Sequence, residues 1–190
     1  MPALLQSVPH IGTWLVEMAA IGVLLFWVIG AYNRLMRHRN AIAAAWGQID
    51  ELLLRRTALL EPLAEALKEP LQAEATTLAT LAQALERQRA AARVVRSRPT
   101  QAAALLAWVT AEGGLASPLA RLDALVEQDS ELAGSEAVKP LRKQLAELAP
   151  RLVYARQVFN DAAEGYNAAL DEFPTRLLRP LFGFRRTAKL

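Results

Sequence analysis

YNRLMRHRNAIAAAWGQIDELLLRRTALLEPLAEAL, residues 32–67, is the stretch on which the fold turns. Apolar side chains fall at Leu35, Ile42, Trp46, Ile49, Leu53, Leu60, Leu63 and Leu67. Their steps of three, four and seven trace one face of a helix with about 3.6 residues per turn. Arg56 is the one interruption of that stripe. Arg37, Gln48, Asp50, Glu51, Arg55 and Glu65 take the opposite face, which suits water. Thirty-odd helical residues reach on the order of 50 Å, so a helix that covers this stripe must be comparably long. An amphipathic helix of that length cannot bury its apolar face alone, and the pattern predicts a bundle.

Immediately upstream, WLVEMAAIGVLLFWVIGA (residues 14–31) contains a single charge, Glu17. A membrane span needs about 20 apolar residues, and extension to residues 12–32 supplies them. Trp14 and Tyr32 stand at its two ends, where interfacial aromatics belong. No Lys or Arg precedes Arg34, whereas Arg34, Arg37 and Arg39 follow directly. The positive-inside rule then puts residues 1–11 outside and the bulk of the chain in the cytoplasm of a cell with this span in its inner membrane. A cleaved signal peptide fits poorly, because the basic leading region and an A-x-A site are missing. The reading is a single-pass signal anchor.

Composition agrees with a helical body. Alanine, leucine, glutamate and arginine dominate, and nothing in the pattern suggests a sheet. There is no cysteine, so disulfides and thiolate metal sites are excluded. The formal charge of +3 hides a segregation. Residues 40–173 carry 14 Lys/Arg against 18 Asp/Glu, a balance of −4, while the cations gather on either side of that region. Arg176, Arg179, Arg185, Arg186 and Lys189 follow it without one acidic residue.

Further along, Pro62 is expected to kink the first helix and Glu69-Pro70 to reverse the chain. A second helix is expected over residues 71–97, facing inward through Leu71, Ala75, Leu78, Leu81 and Leu85. Its arginine-rich end (Arg87, Arg89, Arg93, Arg96, Arg98) is a solvated face, since no aromatic interleaving accompanies it and no nucleic-acid partner is implied. Two short helices are expected next, around Leu105, Leu106 and Trp108 and then over residues 119–131, separated by Glu112-Gly113-Gly114 and Ser117-Pro118. Ser135 is a reasonable N-cap. The last long helix is expected over residues 136–172, with an inward row of Leu141, Leu145, Leu148, Leu152, Phe159, Tyr166 and Phe173, a tolerable Pro140 and a bend at Pro150. Phe173-Pro174 ends it. The fold class is thus all-α: an antiparallel long-helix bundle of about four helices over residues 33–174, preceded by one N-terminal transmembrane helix and followed by a basic tail over residues 175–190.

RNAIAAAWGQIDELLLRR (residues 39–56) resembles the opening signature of the LemA family. ARQVFNDAAEGYNAALDEFP (residues 155–174), with Gly183-Phe184 beyond it, resembles the closing signature. Order and separation match, and the two motifs lie on the two long helices. The resemblance implies a single-pass membrane protein with an antiparallel helical bundle.

The motif residues also have a physical reading. Asn33 and Asn40 are seven apart, as are Asn160 and Asn167, so each pair lines one edge of its helix. They are expected to form a polar seam that fixes helix register, as a buried polar residue does in a coiled coil; a polar binding groove is the alternative. Gly165 between the second pair would admit a close backbone approach. Trp46 is expected in the core, and Arg56 to snorkel or to pair with an acid of the last helix such as Glu147. Asp50 is expected to pair locally with Arg55 or Arg56.

Antiparallel folding returns the tail to the level of the first arginines. Arg34, Arg37, Arg39, Arg176, Arg179, Phe182, Phe184, Arg185 and Arg186 are then expected to contact the membrane surface, arginines on anionic headgroups and rings in the interface. A soluble, unstructured basic tail is the alternative.

Catalysis requires convergent nucleophiles, bases or metal ligands. His10 and His38 are the only histidines, and no phosphate loop, HExxH or paired-carboxylate motif occurs. Catalytic residues, metal ligands and cofactor-binding residues are therefore assigned as none, and no cofactor is implied. What remains is a membrane-tethered scaffold that presents its bundle to a protein partner, or a protein that organises membrane lipids directly. The oligomeric state, self-association included, is left open.

Overall fold

A computed structural model describes residues 8–173 and 175–190, so most of the expected external segment, and Pro174, lie outside the described residues. All regular structure among the described residues is helical. Helix α1 (Val8–Leu67) is followed by a short 3₁₀ turn (Gln72–Glu74), α2 (Ala75–Ser97), α3 (Ala102–Gln128), α4 (Ser130–Gly134), α5 (Lys139–Asp171) and α6 (Thr175–Phe182).

The expected span and the amphipathic stretch are one helix. At 60 residues, α1 is about 90 Å long. Ahead of the body the helix is largely exposed: Trp14 is 69% and Phe26 79% exposed. This apolar stretch is long enough to cross a membrane. From Ala31 onward the same helix turns its stripe inward, and all eight apolar positions named above are 4% exposed or less. Pro62 lies within α1 without ending it, and the chain reverses after Leu67.

Helix α5 lies along α1. Trp27 meets Phe173, Arg34 pairs with Glu172, His38 faces Gly165, and Trp46 packs on Phe159. One set of numbers rises as the other falls. A Cβ at Gly165 would sit 3.4 Å from the His38 ring, an ordinary contact, so the approach there does not require glycine. Helices α2 and α3 form the other closely packed pair.

Two apolar cores result. The one nearer the exposed end of α1 centres on Trp46, Trp108 and Phe159, with Trp46 edge-on to Trp108 at 5.2 Å between centroids. The farther one joins Leu60, Leu63 and Leu67 to Leu81, Leu85, Leu115 and Leu122. In that region α5 supplies only half-buried leucines, Leu141 and Leu145, and reaches α3 through Arg142, which pairs with Asp123 and Glu127.

Helix α3 corrects the expectation of two short helices. It runs unbroken through Gly113, Gly114 and Pro118. Leu105, Trp108, Leu115, Leu122 and Val126 keep helical spacing across those residues and are all buried. Burial along a continuous stripe outweighs the local cost of two glycines and a proline. It is also long and apolar enough to cross a membrane, but its row of Leu105, Trp108, Leu115, Leu122 and Val126 is buried in the body. Asp129, where the break finally occurs, caps α4 by accepting from the backbone N–H groups of Glu131 and Leu132 at 3.0 Å. Ser135 accepts from the Ala137 N–H at 3.3 Å in the turn before α5, which starts at Lys139 rather than at residue 136.

Candidate functional site

Three features cluster function-bearing residues: the end of the body beside the exposed part of α1, the path of the tail, and an arginine–glutamate cluster midway along the body.

At the first, the tail returns to the level of Tyr32 as expected. Phe182 and Phe184 approach the Tyr32 ring at 5.4 and 6.1 Å, and each other at 6.0 Å. Trp27 and Phe173 meet at a tilt nearby, 5.0 Å between centroids. Around this aromatic patch Arg34 pairs with Glu172, and Arg186 and Arg179 converge on Asp171, the latter at 3.7 Å. Arg37, Arg39, Arg176 and Arg185 are exposed and carry no ion pair among the described residues. Part of the expected basic ring thus holds the body together and part faces outward.

The tail itself differs from the expected membrane-lying segment. Helix α6 ends at Gly183, whose φ of 66° is a conformation that L side chains resist. There the Phe184 N–H donates to the Arg179 carbonyl at 3.2 Å, which closes the helix end. The chain then runs back along α5, away from the apolar end. Asn167 Nδ2 donates to the Thr187 carbonyl, and Asn167 Oδ1 accepts from the Thr187 N–H, both at 3.0 Å. Asn160 holds Leu190 in the same way, at 3.0 and 2.7 Å. Lys189 pairs with Glu164 at 2.8 Å and holds that carboxyl below its ordinary range. Phe184, Ala188 and Leu190 lie against the apolar core. Phe184 is thus partly packed on the core, and Arg186 is paired with Asp171.

The asparagine spacing acquires a reason. Seven helical residues rise roughly 10.5 Å, and three extended residues cover roughly 10 Å. Asn160 and Asn167 thus match Thr187 and Leu190, and each side-chain amide imitates a neighbouring strand. This corrects the expected register seam. Asn33 and Asn40 are exposed, and the amides of Asn160 and Asn167 bond to the tail rather than to α1. Between them Tyr166 is buried, and burial pushes its phenol above the usual range against the opposing pull of Arg39 and Arg179.

The third feature was only half visible in the sequence. Arg56 forms an ion pair, but with Glu112 of α3 and not with Glu147: two parallel hydrogen bonds of 2.7 and 2.6 Å. Arg156 of α5 takes the same carboxylate at 2.9 Å, and its guanidinium lies over Trp108, 5.1 Å from the ring centroid. Glu112 is 12% exposed and Arg56 15%. Glu112 passes unnoticed in the sequence because Gly113-Gly114 makes its surroundings look like a loop. The available signal is Trp108 and Glu112 four residues apart, on one helical face, matching the apolar and basic positions of α1. Asp50 likewise pairs across the fold, with Arg96 at 2.8 and 2.9 Å, while Arg55 pairs with Glu51. No three His, Asp or Glu side chains among the described residues gather in a metal-binding arrangement.

Comparison with known proteins agrees with the motifs. Magnetosome protein MamQ of Magnetospirillum gryphiswaldense is 32% identical over 80 residues, which is 42% of this chain and 29% of the relative. Magnetosome proteins MamQ 1 and MamQ 2 of Paramagnetospirillum magneticum match over the same shares. The matched stretch thus covers less than a third of the length of these curated relatives. The family model for the LemA family, by contrast, matches residues 45–190, which hold most of α1's buried stripe, the Glu112 cluster and the asparagine clasp. The chain belongs to the LemA family.

Proposed function

We propose that this protein is a membrane-anchored, non-catalytic scaffold. Residues 12–32 cross the inner membrane with residues 1–11 outside, and residues 33–174 form a cytoplasmic antiparallel bundle that offers its acidic sides to a protein partner. The observation that supports this reading is the continuity of α1. One helix carries a bare apolar third and a buried amphipathic remainder with no linker between them, so the body is held close to the bilayer at a fixed attitude. Cross-linking in native membranes followed by mass identification tests the partner. The expected result is a recurrent protein adduct through acidic faces of α2, α3 or α5; adducts to lipid alone would overturn it. Orientation is tested by protease treatment of sealed, right-side-out spheroplasts, which is expected to leave the helical body intact.

A second reading has its own support in the exposed Arg37, Arg39, Arg176 and Arg185 and in Phe182, which is 48% exposed. These residues suit anionic headgroups, each arginine contributing about 1 kcal/mol. On this reading the protein organises lipid directly. Purified full-length protein should then deform anionic vesicles and leave neutral ones unchanged. Alanine at the four arginines should abolish the difference.

A further inference from the structure

Between α1, α3 and α5 a groove of about 670 Å³ opens. That volume falls within the roughly 300–1,000 Å³ of small-molecule sites. Its walls are aliphatic, with Leu60, Leu122, Leu145, Leu148 and Leu152 among them. Val153, in the same wall, is 68% exposed, an open apolar surface without a protein partner. Arg56, Glu112 and Arg156 line the groove at one end.

The charge at that end is unbalanced. One carboxylate serves two guanidiniums, and the Nε atoms of both arginines are buried without a hydrogen-bond partner. Glu112 neutralises one cation and leaves one positive charge in a largely desolvated place, which is costly until an anion joins it. Arg156 is 33% exposed, with Trp108 fixing its guanidinium plane, so it is the member free to receive one. Farther along the groove Arg142 is already satisfied by Asp123 and Glu127, and Lys143 carries no ion pair among the described residues.

We propose that this groove binds a single-chain amphiphile with a carboxylate head, its acyl chain along the leucines and its head on Arg156. A carboxylate accepts charge-assisted hydrogen bonds from a guanidinium, and its single negative charge balances the one cation that Glu112 leaves over. Arg56 lies 24 residues beyond Tyr32, roughly 36 Å along α1. Lipid still seated in the bilayer does not reach the groove, so the ligand arrives as a free molecule.

The test is calorimetric titration of the full-length protein in nanodiscs, corrected against empty nanodiscs, with decanoate, decanol and acetate. Decanoate should bind saturably at one site, with decanol and acetate at least about tenfold weaker, as expected for one charge-assisted contact joined to chain burial. Arg156→Gln leaves the Arg56–Glu112 pair intact, so the fold should persist. It should weaken decanoate by about tenfold and leave decanol unchanged. Leu148→Trp, at a half-buried wall position, should block decanoate while leaving the helical circular dichroism as it was. Equal binding of decanol and decanoate would make the groove a seat for an uncharged chain or another helix and overturn the proposal. Binding untouched by either substitution, or none above empty nanodiscs, would overturn it too.

Discussion

Glu112 holds two partly buried guanidiniums at once. With alanine there, Arg56 and Arg156 face each other partly buried with no anion between them. Breaking a fully buried pair costs about 3–5 kcal/mol. Because Arg156 is one-third exposed, the expected loss for Glu112→Ala is about 2–3 kcal/mol in urea unfolding, and adding Arg156→Gln should recover part of it. Asn167 works differently. Asn167→Leu removes two hydrogen bonds to Thr187 and should free the tail by about 1–2 kcal/mol. Hydrogen exchange at residues 184–190 should quicken while the amides of α5 and the facing part of α1 remain protected. Faster exchange along α1 instead would restore the seam between the two long helices. The Glu164–Lys189 pair adds a pH dependence. Glu164 titrates below its ordinary value in the folded protein, so its contribution is present above the unfolded pKa of about 4.3 and fades as pH falls through the lower folded value. Lys189→Ala should therefore accelerate exchange at the tail near neutral pH and make little difference in strong acid.

Among the elements, α3 is the informative one. Gly113 and Gly114 are exposed within a helix, and a Cβ at either would meet nothing within 4 Å. Gly113→Ala and Gly114→Ala should each stabilise the protein by roughly 0.5–1 kcal/mol, measured as a higher urea midpoint with an unchanged slope. A loss would mean that α3 is broken there after all. The same pair shows where sequence reasoning fails. Glycine, serine and proline are read as local punctuation, yet Leu115 and Leu122 continue the face begun by Leu105 and Trp108, and packing decides. Helix α1 was legible throughout because its stripe needs no distant partner to be recognised. The partners of Arg56 and Asp50 were not legible, since Glu112 and Arg96 come close only after α2 and α3 fold back. The tail was legible in its return to Tyr32 but not in its second reversal, which depends on the φ of Gly183 and on the match between Asn160–Asn167 and Thr187–Leu190.

At the scale of the whole molecule, acidic sides and a cationic base coexist with a bare apolar stem. That distribution predicts how the protein fractionates. High salt weakens only the arginine contacts, so the full-length chain should stay in the membrane pellet through a salt wash and leave it in detergent. Recovery in the salt-washed supernatant would remove the anchor from the account. The unbroken α1 has one more consequence. A helix that passes from an apolar stem into a folded body without a joint has no swivel. Any roll of the stem about its own axis is handed to the body degree for degree, and each residue added to or taken from the stem is a quarter-turn and more, about 100°. Which flank looks toward a neighbour is thereby written into the phase of a single helix.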